Sequence, residues 1–128
     1  MKSGSCLCGG VAFQISGPLR PVIGCHCSQC RKQSGHFAAF TACDDADLKF
    51  TAETTLAWYR ASATAARGFC KNCGSLLFWK GDDANYTSIA AGSLDGVTDL
   101  QMEGHIYCAD KGDYYEILDG QYQKAQWT

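Results

Sequence analysis

At 128 residues the chain is long enough for one domain with a single modest core. A hydrophobic content of 46% and a net charge of −2 mark it as globular rather than disordered, and the acidic balance argues against a nucleic-acid partner. No run approaches the roughly 18 consecutive apolar residues of a membrane span. Residues 1–6 (MKSGSC) lack the apolar stretch of a secretory signal, so a reducing cytoplasmic setting is expected.

In chain order the pattern reads as mostly strand. Short runs rich in β-branched or aromatic residues lie at 11–15 (VAFQI), 37–41 (FAAFT), 56–60 (LAWYR), 75–79 (SLLFW) and 86–90 (YTSIA). Two further strands are expected at 105–108 (HIYC) and 114–118 (YYEIL). Gly9-Gly10, Gly81-Asp82-Asp83 and Asp95-Gly96 punctuate them as turns. A 3.6-residue period is nowhere sustained, although 28–35 suits a short helical turn. The expected fold is mostly β: antiparallel sheets in one domain, 1–128, with the polar, Gln-rich residues 119–128 as a loose tail. Trp58, Tyr59, Phe78 and Trp79 are expected in the core, one of them facing a pocket.

Nine cysteines carry the chemistry. Their odd number, the expected cytoplasmic setting and the strain of bridging residues one apart argue against disulfides. Seven fall into clusters: C-x-C at Cys6/Cys8, C-x-C-x-x-C at Cys25/Cys27/Cys30, and C-x-x-C at Cys70/Cys73. On a strand, C-x-C points two sulfurs to one side. In a tight turn, C-x-x-C wraps two around an ion, and Gly9 and Gly74 accept the backbone angles this needs. Cys6, Cys8, Cys70 and Cys73 are therefore predicted to hold a closed, structural Zn²⁺. Cys25, Cys27 and Cys30 are predicted to hold a second Zn²⁺ with an open position, catalytic and more labile. Two alternatives stay open for the middle cluster: Cys43 as a fourth ligand, or an iron–sulfur centre. Cys43 and Cys108 otherwise read as small buried hydrophobes on strands.

The segments 6–13 (CLCGGVAF), 25–32 (CHCSQCRK) and 69–79 (FCKNCGSLLFW), with 92–95 (GSLD) and 105–107 (HIY), resemble the glutathione-dependent formaldehyde-activating enzyme family, which includes centromere protein V. The resemblance spans nearly the whole chain. It implies a β-tent of antiparallel sheets clamped by zinc, with the same division of ligands. It also implies formation or cleavage of a carbon–sulfur bond, as in S-(hydroxymethyl)glutathione.

The expected function is thus that of a carbon–sulfur lyase. A thiol such as glutathione would bind at the open zinc position and attack an aldehyde carbon, or the reverse reaction would cleave the adduct. Partners would be a small thiol and an aldehyde, with no nucleic acid or membrane. Ser28, Gln29 and Arg31 flank the middle cluster and suit a substrate carboxylate, and Ser93 falls in a segment resembling the family. His26, between two ligands, is expected to point away from the metal, and His105 to be hydrogen-bonded on a strand. The competing reading is a non-catalytic, zinc-stabilised binding module, in which both metal sites are closed.

Overall fold

The computed structural model describes all 128 residues. The first strands are β1 (Lys2–Ser5), β2 (Val11–Ile15), β3 (Val22–Cys25), β4 (Ala38–Asp44) and β5 (Leu48–Glu53). They are followed by β6 (Leu56–Arg60), β7 (Ala65–Cys70), β8 (Leu76–Gly81), β9 (Tyr86–Ala90), β10 (Met102–Ile106) and β11 (Tyr122–Gln123). One helix, α1 (Ser28–Ser34), follows β3.

Alternation decides the first layer. In β2, Val11, Phe13 and Ile15 are fully buried while Ala12 and Gln14 are not, the pattern of a strand with one face on a core. β1 and β5 flank it, both antiparallel, in a three-stranded sheet. The remaining strands form an eight-stranded sheet in the order β11-β10-β3-β4-β9-β8-β7-β6. β10 runs parallel to both β3 and β11, so this sheet is mixed rather than wholly antiparallel.

The main core joins the two sheets around Phe78. Its ring meets Phe13 edge-on at 5.3 Å between centroids and Phe50 at 5.5 Å. Burying such a side chain stabilises by roughly 1.5–3 kcal/mol. Between β7 and β8 the register shifts: Gly68 opposes Phe78 and Phe69 opposes Leu76, leaving Leu77 over. That bulge lets the neighbours Leu77 and Phe78 both enter the same core.

The other face of the large sheet carries the functional groups. Arg67, Trp79 and Ser88 lie in register across β7, β8 and β9, and cross-strand partners share a face. A smaller apolar cluster there, Cys30, Ala38 and Phe40, seats α1.

Several expectations are revised by this packing. No strand forms at 114–118. Tyr114 and Tyr115 instead turn their hydroxyls to His36 and His26, and Lys111 Nζ donates to the Tyr115 carbonyl, which holds the segment off any ladder. β10 stops at Ile106 because Tyr107 adopts a left-handed conformation (φ 53°). Trp58 and Tyr59 are not core residues. They sit on the edge strand β6 and are 46% and 62% exposed. Residues 119–128 are tied to β10 through β11 and through backbone bonds such as Tyr107 N–H to the Gln126 carbonyl, 3.2 Å.

Candidate metal centres and their cleft

Cys6 and Cys8 lie in the turn between β1 and β2, not on a strand, while Cys70 ends β7 and Cys73 sits in the turn before β8. All four sulfurs lie within 4.8 Å of one another. Cys6–Cys8 and Cys8–Cys70 are both 3.6 Å apart. Four sulfurs about 2.3 Å from a zinc ion stand about 3.8 Å apart at the corners of a tetrahedron, so this donor set fits zinc.

The turns are shaped for the purpose. Gly9 and Gly74 are left-handed (φ 81° and 80°), and Gly74 N–H donates to the Cys70 carbonyl at 2.8 Å. Val11 N–H and Cys73 N–H donate to the Cys6 and Cys70 sulfurs, both at 3.3 Å, and Asn72 Nδ2 donates to Cys8 at 3.3 Å. Hydrogen bonds from the Ser75 hydroxyl and backbone hold the Cys73 thiol down at about 5. Donors aimed at sulfur stabilise the thiolate that a metal requires.

The second cluster is built at a strand–helix junction. Cys25 ends β3, Cys27 is the N-cap of α1, and Cys30 lies in the first turn. Cys30 N–H donates to the Cys27 sulfur at 3.3 Å, so the thiol stands where a helix usually places Ser, Thr or Asp. Gly35 closes the helix in the left-handed conformation, its N–H on the Arg31 carbonyl at 3.0 Å. Hydrogen bonds from Cys25 and then Cys30 hold the Cys27 thiol far below its ordinary range, at about 2.

The three sulfurs lie within 4.8 Å of one another, and no fourth Cys, His or carboxylate joins them. Cys43 packs in the main core, where burial and then Asp47, Asp45 and Asp44 push its thiol up to about 11. Cys108 is half-buried in a 3-10 turn after β10 rather than on a strand.

All three cysteines open on a cleft of about 570 Å³. Its walls are mostly apolar, with Ile23, Phe40, Trp79, Ile106 and Trp127 among them. Ser28 lines it, and so do Gln29, Arg20 and Asp110. Arg31 and Ser93 lie outside the lining. Arg31 Nε is buried without a hydrogen-bond partner, and the Ser93 hydroxyl donates to the Ala90 carbonyl at 2.7 Å.

Two features escaped the sequence reading. The first is Arg67, only 4% exposed, whose Nη2 lies 3.3 Å from Cys30 Sγ and 4.0 Å from Cys27 Sγ. A charge in the otherwise apolar run 65–70 was its one sequence signal. The second is a file of side chains behind the metal segment. His105 Nε2 lies 2.7 Å from Asp119 Oδ2, His105 Nδ1 lies 2.9 Å from His26 Nε2, and His26 Nδ1 meets the Tyr115 hydroxyl.

Asp119, an acceptor when ionised, takes Nε2–H of His105, while His105 Nδ1 and His26 Nε2 share one proton between them and Tyr115 caps the far end of the file. Burial, followed by repulsion from His105, pulls His26 down to about 4. His26 is 1% exposed, so it points away from the sulfurs into this file and not to the surface.

Comparison with known proteins agrees with the site. The family model of the glutathione-dependent formaldehyde-activating enzyme matches residues 1–110. The chain belongs to this family. An uncharacterized lyase of Schizosaccharomyces pombe is 28% identical over 118 residues, covering 91% of this chain and 85% of that protein. The crystal structure of a Rhodobacter sphaeroides protein has the same fold, with a TM-score of 0.64 over 78% of this chain and 98% of the other, at 22% identity. Family membership and the lyase-named relative support a glutathione-linked, formaldehyde-activating or lyase-type enzyme. No helix is long and apolar enough to cross a membrane.

Proposed function

We propose that this chain is a zinc-dependent carbon–sulfur lyase that joins or separates a thiol and an aldehyde carbon, with S-(hydroxymethyl)glutathione or a similar adduct as substrate. The observation carrying this reading is the contrast between the clusters. One is completed by four cysteine sulfurs, and the other offers three sulfurs on a cleft. Four protein ligands characterise a structural zinc ion, and three beside a cavity characterise a catalytic one. Cys6, Cys8, Cys70 and Cys73 accordingly take the structural ion, and Cys25, Cys27 and Cys30 the labile, catalytic one. Zinc held by Cys25, Cys27 and Cys30 would supply Lewis acidity toward a thiol and a carbonyl oxygen.

The chain's own residues bind and orient. The apolar walls keep water from the adduct. Ser28 lines the cleft beside the sulfurs, while Arg20 and Asp110 offer opposite charges to a zwitterionic thiol such as glutathione. Arg31 and Ser93, outside the lining, have no substrate role in this reading. A cytoplasmic setting, where thiols stay reduced, suits both the ligands and the substrate.

The test is magnetisation exchange between ¹³C-formaldehyde and its glutathione adduct, followed by NMR alongside zinc content. Wild type carries two ions and accelerates exchange. Cys27→Ser keeps its fold and one ion but loses about 10²-fold in rate. Exchange at the uncatalysed rate with both ions bound would defeat the enzyme reading and favour a binding module.

A further inference from the structure

Arg67 has no carboxylate partner. The carboxylates that pair with Lys or Arg do so elsewhere, in Lys2–Asp99, Arg60–Asp82 and Lys80–Asp45, and Asp119 faces His105. Its guanidinium instead donates Nε–H to Gln29 Oε1 at 3.2 Å and Nη1–H to Gln33 Oε1 at 3.1 Å, and directs Nη2 at the Cys30 and Cys27 sulfurs. Gln29 and Gln33 are one turn apart on α1, so they grip one side of the planar group and fix its other edge on the cluster. Arginine cannot shed its proton, and a buried charge is tolerated only beside an opposite one. The sulfurs are the anions within its reach.

The other cluster has no such neighbour. Its side-chain contacts are neutral groups, Asn72, Ser75 and Thr55, and Cys8 is exposed to water. Four thiolates around Zn²⁺ leave two negative charges there, which solvent can screen. Three thiolates around Zn²⁺ leave a single negative charge, which Arg67 cancels inside a mostly apolar cleft.

We infer that Arg67 is a specificity-determining positioning residue, which neutralises the three-cysteine centre so that its fourth position accepts an anionic ligand in preference to a neutral one. The inference deepens the proposed function and rests on the same site. An incoming thiolate would raise a bare three-thiolate zinc centre to two negative charges within the cleft, and the guanidinium offsets one of them. A role for Arg67 as a direct clamp on a substrate carboxylate is disfavoured, because Nε and Nη1 already donate to the two glutamines and Nη2 faces sulfur.

Cobalt(II)-substituted protein tests this, because its visible absorption reports the fourth ligand without any turnover. The probes are azide as an anion, imidazole as a neutral ligand, and glutathione. Arg67→Met and Arg67→Gln both lose the charge, and each is expected to lower the azide-to-imidazole affinity ratio about tenfold to a hundredfold. Arg67→Lys keeps the charge and should hold the ratio within about threefold of wild type.

An unchanged ratio in both neutral variants would overturn the inference, as would equal weakening of both ligands or a wild type that takes up only one cobalt ion. If glutathione fails to bind wild type while the azide-to-imidazole ratio still falls in the variants, the lyase reading fails and the role of Arg67 stands.

Discussion

Between Cys25 and Cys27 the backbone N–H of His26 donates to the Ile106 carbonyl at 3.0 Å, and its ring leads into the file ending at Asp119. One residue thus ties the metal-binding segment both to β10 and to residues 115–119. His105→Leu leaves buried His26 Nε2 without its hydrogen-bond partner. It should cost about 1–3 kcal/mol in chemical denaturation and hasten loss of the ion at the three-cysteine site. Gly74 offers a cleaner case. A methyl group there meets nothing within 4 Å, so the cost of Gly74→Ala is the left-handed backbone alone, about 1–2 kcal/mol. Thermal melts would show this, with the loss concentrated at the four-cysteine turn.

At the scale of elements, the turn after β4 is pinned to β8 and β9 through Asp45. Lys80 Nζ lies 2.6 Å from Asp45 Oδ2, and Thr87 Oγ1 donates to Oδ1 at 2.6 Å. Burial pushes this carboxyl up, but Lys80 and Thr87 together outweigh it and leave it below the ordinary carboxylate range. A carboxyl lowered by folding binds its proton less readily in the folded state. Its contribution is therefore present above the unfolded value, about 3.9, and is lost as pH falls through the folded value. The ion pair is partly exposed and screened by solvent, so Asp45→Asn should cost about 1 kcal/mol at neutral pH. Urea denaturation should show the gap to wild type closing below about pH 4.

The secondary structure divides along similar lines. β2, β6 and β9 were legible because their period-two or aromatic-rich runs sit between turn residues. β3 was not, since four residues buried on both faces (VIGC) carry no alternation. β11 is two residues long and exists only because β10 offers it an edge.

For the whole molecule, the two metal sites differ in what they hold together. The four-cysteine cluster brings together the turn after β1 and the turn between β7 and β8, which belong to different sheets, so an ion held there would join the two sheets. The three-cysteine site lies within one strand–helix junction. A chelator should therefore remove one ion quickly while circular dichroism stays native. Removal of the second should take with it most of the roughly 5–15 kcal/mol of stability typical of such a domain. Simultaneous loss of both ions with unfolding would contradict this order.

The cysteine spacing and the glycines after Cys8 and Cys73 are local features of the sequence, whereas the group of four forms only when Cys8 meets Cys70 across 62 positions. The sequence by itself also determined that the chain is mostly β. The environment of those ligands was decided only by the tertiary structure. Arg67 reaches the sulfurs because β7, β8 and β9 align in register, and α1 places its two glutamines against the guanidinium. His26 meets His105 across 79 positions because β3 and β10 pair in parallel. Such partners lie far apart along the chain, and the pairing of strands distant in sequence brings them together.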